Sequence, residues 1–239
     1  LLLGYSLQSL AFDVAVHLGT LGAVITYFRR EVAAMLAAIL DTLAARRIRS
    51  RDARLAWMIL VATLPLIVVG FPMKELLYSV RGDGQAVAQV IAGTTIGFGL
   101  LLWVADLTGR RARDEHSIGW KDALAIGLFQ ALAIVPGTSR SGITITAALF
   151  LGLTRAAASR FSFLLSIPTI LMAGAVETLE LLGSAEPVDW TPLWLGALLS
   201  FAVAYLTIHY FLKFIERVSM LPFVLYRLLL GGVILYLMT

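Results

Sequence analysis

The chain has 239 residues, of which 59% are hydrophobic and 14% charged, with 19 Lys and Arg against 15 Asp and Glu and no cysteine. A soluble domain carries about a quarter of its residues as charges, and the mean hydropathy of +0.88 excludes water as the main solvent, leaving an all-α integral membrane protein as the fold class. The missing cysteines exclude disulfides, thiolate metal sites and cysteine nucleophiles. The net charge of +4 gives no nucleic-acid footprint, because the basic residues fall in short runs between apolar segments.

Leu1 lies inside an apolar run, with neither an initiator Met nor the basic start of a signal peptide, which reads as a natural N-terminus lying upstream. Six stretches, 10–28, 55–71, 86–105, 161–182, 193–215 and 221–238, are each near the roughly 20 residues that cross a bilayer as a helix. Between the first two, Arg29, Arg30, Arg46, Arg47, Arg49, Arg51 and Arg54 form the densest basic stretch, read as a cytoplasmic loop. Arg110, Arg111, Arg113, Lys121, Lys213 and Arg217 then fall on the same side, and the loop 183–192, with Glu186 and Asp189, on the other.

One segment departs from this pattern. Residues 122–135 and 143–153 are apolar but, at about 11 to 14 residues, too short to span. The polar run between them, Pro136-Gly-Thr-Ser-Arg-Ser-Gly142, must lie in protein or a wet cavity, because unpaired backbone groups in lipid are costly. A re-entrant helical hairpin over 122–153 meets both requirements and keeps the flanking arginines, including Arg155 and Arg160, on one side.

The halves also resemble one another. A shift of about 149 or 150 residues sets Phe12-Asp-Val-Ala-Val-His-Leu-Gly-Thr20 on Phe161-Ser-Phe-Leu-Leu-Ser-Ile-Pro-Thr169, and Pro72 on Pro222. The expectation is one polytopic domain over 1–239, made of an inverted repeat. Its first copy is 1–105, lacking its N-terminal hairpin, and its second is 120–239.

The hairpin concentrates the polar chemistry. Thr138, Ser139, Ser141 and Thr144 offer hydroxyls, Gly137 and Gly142 leave backbone N–H groups approachable, and Arg140 supplies a cationic fork. Together with a helix beginning near Ile143, these groups describe an anion site. An arginine at membrane depth favours function; the plainer reading is a hydrated turn with Arg140 snorkelling or ion-paired. Gln130, about two turns before Pro136, either faces the same cavity or makes an interhelical hydrogen bond.

Asp13 and His17 share one face of the first span, suited to a proton relay or to an interfacial position. Arg227 either reaches the anion or snorkels to the interface, with snorkelling preferred. His116 reads as solvated, His209 as a packing histidine among Tyr205 and Tyr210, and Glu177 and Glu180 as reaching the outer surface.

The run Pro136-Gly-Thr-Ser-Arg-Ser-Gly-Ile-Thr144 resembles the P-G-x-S-R-S-x-x-T motif of the bacterial undecaprenyl-pyrophosphate phosphatases, or bacitracin-resistance proteins. Gly127-Leu-Phe-Gln130, Arg160-Phe-Ser-Phe-Leu-Leu-Ser-Ile-Pro168, Phe12-Asp-Val-Ala-Val-His-Leu-Gly19 and Leu221-Pro-Phe-Val-Leu-Tyr-Arg227 are similar to further segments of that family. The resemblance implies an enzyme of the bacterial cytoplasmic membrane that removes one phosphate from a polyprenyl pyrophosphate lipid, with its site open to the periplasm. By this likeness Arg140 holds and neutralises the pyrophosphate, Ser139 and Ser141 donate hydrogen bonds, and Thr144 supports the loop.

The family's other signature, E-x-x-x-E followed by P-V-S-S-T-x-H, does not occur in the chain. The resemblance ties those carboxylates to Mg²⁺ or Ca²⁺, so no metal ligand is expected among the residues present, and the chain as given is expected to be inactive. The bilayer and, as a further assembly, a homodimer complete the expected partners. A lipid-phosphate transporter, which shares the inverted-repeat architecture, is the rival reading. The type-2 phosphatidic acid phosphatases are disfavoured because Thr146 stands where their histidine would be. A purely structural scaffold is disfavoured by Arg140 itself.

Overall fold

The computed structural model describes residues 10–80, 84–182 and 190–238. Among them are nine α-helices: α1 (Leu10–Tyr27), α2 (Arg29–Ala45), α3 (Arg51–Val80), α4 (Gly84–Thr108), α5 (Trp120–Ala131), α6 (Arg140–Phe150), α7 (Arg155–Leu182), α8 (Trp190–Ile215) and α9 (Leu221–Tyr236). The six expected spans are α1, α3, α4, α7, α8 and α9. Four of them contain apolar segments long enough to cross a membrane, Arg51–Gly70, Gly84–Thr108, Arg155–Val176 and Thr191–Ile215, while α1 and α9 are shorter apolar helices. Leucines and valines that a soluble protein would bury, such as Leu64, Val68, Leu107, Leu198 and Leu229, lie exposed, as a lipid solvent allows.

The basic segment after α1 is a correction to the sequence reading. Residues 29–45 form helix α2 and not a loop. Backbone hydrogen bonds Phe28 N–H to Val24 O and Val32 N–H to Phe28 O carry the ladder from α1 into α2, and the alanine-rich sequence of α2 has the strongest helix propensity available. Only residues 46–50 are irregular, and Ser50 closes them by accepting from the Ala53 N–H through Oγ at 3.0 Å.

The chain divides into two compact units, 1–33 with 166–211, and 34–165 with 212–239. In the first unit, α1 and α8 approach closely: a Cβ on Gly19 would collide with the Ala197 carbonyl and Ser200 Oγ, and Ser200 Oγ donates to Val16 O at 3.1 Å. Small residues at such seams let apolar helices pack without a hydrophobic drive. Phe12 to Thr20 lie in α1 and Phe161 to Thr169 in α7; Pro72 falls inside α3 and Pro222 in the first turn of α9.

The second unit contains the hairpin. Helix α5, a single 3-10 turn at Leu132–Ile134, and α6 run up and back, and one arginine joins the two feet. Arg113 Nη2 meets Asp122 Oδ2 at 2.6 Å at the start of α5, while its Nη1 donates to Leu151 O at 2.9 Å just past α6. The Ala112 and Arg113 N–H groups donate to Gly152 O, and Thr154 N–H to Arg113 O. Gly152, at φ +86°, ends α6 in the left-handed geometry that glycine favours, with Leu153 N–H closing on Ala148 O. Both feet therefore lie together, the defining feature of a re-entrant hairpin.

Candidate functional site

The tip of the hairpin is set against the middle of α4. Thr94 Oγ1 donates to Pro136 O at 2.6 Å and Thr95 Oγ1 to Gly137 O at 3.2 Å. Those threonines lie roughly 20 Å along α4 from its Thr108 end, at 1.5 Å per residue, and the Thr108 end adjoins the foot, where a Cβ on Gly109 would collide with Leu149 O. The loop that carries Arg140 thus lies against the middle of α4, roughly 20 Å along that helix from the foot.

Backbone conformation in the loop follows from that approach. Gly137 has φ +83°, and a Cβ there would collide with Thr94 Oγ1 and with the Ile91 backbone. Ser139 has φ +68° although it is not glycine, a conformation that costs on the order of 1–3 kcal/mol and marks functional loops. Ser139 is the N-cap of α6, its Oγ accepting from the Gly142 N–H at 3.3 Å. The hydroxyl proton of this exposed residue remains available for an acceptor. The Arg140 and Ser141 N–H groups, in the first turn of α6, have no partner four residues back.

Two guanidinium groups meet this loop. Arg140 is half-buried and donates from Nη1 to Ser162 O at 3.0 Å; among the described residues it has no carboxylate partner. Arg227 reverses the sequence expectation of snorkelling. Its Nε donates to Thr95 O at 3.1 Å, and its Nη2 to Gly137 O and Thr138 O, each at 3.0 Å, and more distantly to Thr94 O. Gly99 makes room for this side chain, since a Cβ there would stand 3.2 Å from Arg227 Cβ. Backbone carbonyls solvate the charge in place of the interface. Arg227 Nη1 lies 3.7 Å from where a Cβ on Gly142 would be, beside the start of α6.

The remaining hydroxyls are placed differently. Thr144 is buried at 1% exposure, its Oγ1 bonding to Arg140 O at 3.0 Å and Ser141 O at 3.1 Å and lying 2.7 Å from Ser162 Oγ. Thr138 Oγ1 is buried without a protein partner, a state that calls for a ligand or water. Gln130 is fully buried, and its Nε2 donates to Ala62 O at 3.4 Å, in a seam where a Cβ on Gly127 would collide with Ala62 and Pro65.

Asp13 and His17 lie one turn apart on α1 in the other unit, Asp13 exposed and His17 half-buried. His116, expected to be solvated, is half-buried with its Nδ1 enclosed, because its turn is pinned between α3 and the Glu115–Arg160 pair. His209 is exposed, with edge-on ring contacts to Tyr27 and Tyr210. The side chains of Glu177 and Glu180, like residues 183–189, lie outside the described residues.

Among the described residues no three His, Asp or Glu side chains come together. The carboxylates around the hairpin foot, Asp106, Glu115 and Asp122, are each paired with an arginine. The described side chains therefore do not fit a cage for the divalent cation that the family resemblance implies.

Fold and loop define a class: polytopic membrane proteins whose polar centre is carried at the tip of a re-entrant helical hairpin. Within it the assignment is specific. The chain belongs to the family described as bacitracin resistance protein BacA, whose model matches residues 1–233. A protein of Nitrosococcus oceani named undecaprenyl-diphosphatase is 54% identical over 236 residues, covering 99% of this chain and 87% of that protein. Undecaprenyl-diphosphatase 2 of Stutzerimonas stutzeri is 54% identical over 239 residues, with 99% and 87% covered. The undecaprenyl-diphosphatase of Alteromonas mediterranea is 53% identical over 235 residues, with 98% and 86% covered.

Proposed function

We propose that this chain is a membrane phosphatase that hydrolyses undecaprenyl pyrophosphate. Water adds to the terminal phosphorus, the bridging P–O bond breaks, and undecaprenyl phosphate and inorganic phosphate leave, the lipid returning to peptidoglycan synthesis and the cell gaining bacitracin resistance. The observation that carries this reading is Arg140: a guanidinium at the tip of the hairpin, without a carboxylate among the described residues, at the head of a hydroxyl-lined helix start. Such a cation is stabilised when a lipid pyrophosphate brings the opposite charge.

In this reading Arg140 grips the pyrophosphate and stabilises charge on the transferred phosphoryl group. Ser139 and Ser141 donate hydrogen bonds, the Thr138 hydroxyl and the first N–H groups of α6 complete the cradle, and Gly137 and Gly142 keep it open. Arg227 fixes the loop through its carbonyls and adds positive potential from Nη1. A divalent cation such as Mg²⁺ or Ca²⁺, were it bound with the substrate, would supply further neutralisation of phosphoryl charge, and no role in holding it is assigned to the described residues.

The protein resides in the bacterial cytoplasmic membrane with the basic stretches inside. The hairpin enters from that side, so its tip opens toward the periplasm. Release of phosphate from undecaprenyl pyrophosphate in detergent by the full-length protein tests the reading: the unmodified protein releases it and Arg140→Ala does not. Lipid translocation without phosphate release would overturn it in favour of a transporter.

A further inference from the structure

Ser162 stands on α7, outside the loop, and its contacts single it out. It is buried at 1% exposure and reaches Arg140 by two routes. Its backbone carbonyl accepts from Arg140 Nη1 at 3.0 Å. Its hydroxyl lies 2.7 Å from Thr144 Oγ1, which in turn bonds to Arg140 O at 3.0 Å. A threonine hydroxyl has one proton; when Thr144 uses it on the Arg140 carbonyl, Ser162 must donate the bond between the two hydroxyls. One residue of α7 therefore holds both ends of Arg140, the guanidinium and the backbone.

An arginine side chain has many rotamers, and that freedom is lost in the transition state unless the protein has already ordered it. With Nη1 turned to the Ser162 carbonyl, the Nε and Nη2 edge of the fork has no protein acceptor among the described residues and is free for two phosphate oxygens. We propose that Ser162 is a positioning residue that aims Arg140 at the pyrophosphate through Thr144, without touching substrate itself. The inference rests on the phosphatase reading of the tip.

The test is a double-mutant cycle on phosphate release from a polyprenyl pyrophosphate in detergent, with kcat and KM measured separately at equal folded protein. Misaiming a catalytic group by about 1 Å costs up to about 100-fold, so Ser162→Ala and Thr144→Ala are each expected to lower kcat about tenfold, with KM changed less than about threefold. The Ser162→Ala/Thr144→Ala double variant should be no more than about twice as impaired as either single, because both remove one device. Thr144→Ser, which keeps the hydroxyl, should retain kcat within about twofold, and it carries the test from the loop side if Ser162→Ala folds poorly.

Losses that multiply in the double variant, a Ser162→Ala enzyme with wild-type kcat, or a Thr144→Ser enzyme as impaired as Thr144→Ala would each overturn the proposal. Unmodified full-length protein that released no phosphate would instead overturn the phosphatase reading, so the two failures are distinguishable.

Discussion

The foot and the tip of the hairpin treat arginine in opposite ways. At the foot, Arg113 pairs with Asp122, Arg160 with Glu115, and Arg155 with Asp106, the last through Nε at 2.5 Å and Nη2 at 3.0 Å. Every one of those cations has a carboxylate. At the tip, Arg140 and Arg227 bond only to backbone carbonyls among the described residues. Carbonyl dipoles orient a guanidinium without cancelling its charge, whereas a carboxylate cancels it. A cation balanced by the protein holds structure together; one that is oriented and left unbalanced is poised for an anionic ligand.

That contrast can be broken from either end, and the tip gives the largest effect on activity. Removing an arginine that stabilises phosphoryl charge costs about 10³-fold or more, so Arg140→Ala should abolish phosphate release while leaving thermal unfolding in detergent unchanged. Arg155→Ala should do the reverse. Asp106 is 2% exposed, and its Oδ2 also accepts from Met220 N–H, the N-cap of α9, at 3.0 Å. Stranding a buried carboxylate typically costs about 3–5 kcal/mol, read as a large fall in Tm with activity lost only in proportion to folded protein. If Arg140→Ala unfolded the protein and Arg155→Ala left it stable, the distinction between foot and tip would collapse.

Gly137→Ala tests the tip's backbone rather than its charge. The added methyl meets Thr94 Oγ1 and the Ile91 backbone at a positive φ, so the loop must shift away from α4. A destabilisation of about 1–3 kcal/mol follows from such strain, and phosphate release should fall with it because Arg227 grips the Gly137 carbonyl. A fully active Gly137→Ala protein would show that the approach to α4 does not set the site.

The spans and the hairpin were legible because both are statements about length. Runs near 20 apolar residues cross, and runs of about 11 to 14 around a polar break turn back. Helix α2 was hidden by its basic flanks, although Ala33, Ala34, Ala37, Ala38, Ala44 and Ala45 carry a helix signal of their own. Arg227 could not be placed from sequence, because choosing between the interface and the interior depends on Gly99 opening space and on carbonyls from two separate segments, α4 and the hairpin loop. Asp106 reads in sequence as the polar edge of an apolar run, and Ser162 as one serine in an apolar helix. Their partners are 49 and 18 residues away, and only the packed helices bring them together.

The smallest effect concerns pH at the foot. Burial raises the Asp122 carboxyl, but the Arg113 hydrogen bond, the Gly119 N–H and the nearby Arg113 and Arg54 charges outweigh it and hold the pKa below its ordinary 3.8. A depressed folded-state pKa contributes stability that is fully present above the unfolded value and is lost as pH falls through the folded one. The window is therefore below pH 3.8, and at neutral pH the pair is intact. Because Arg113 is 35% and Asp122 20% exposed, solvent screening limits the pair to about 1 kcal/mol or less. Asp122→Asn should accordingly lower Tm by a few degrees at pH 7, and the gap to the unmodified protein should close on acidification below that window. A gap that widened in acid would mean that the carboxylate is opposed by its surroundings, and that the foot is held by the Arg113 contacts to Ser117 and Leu151 and by the backbone bonds to Gly152 and Arg113.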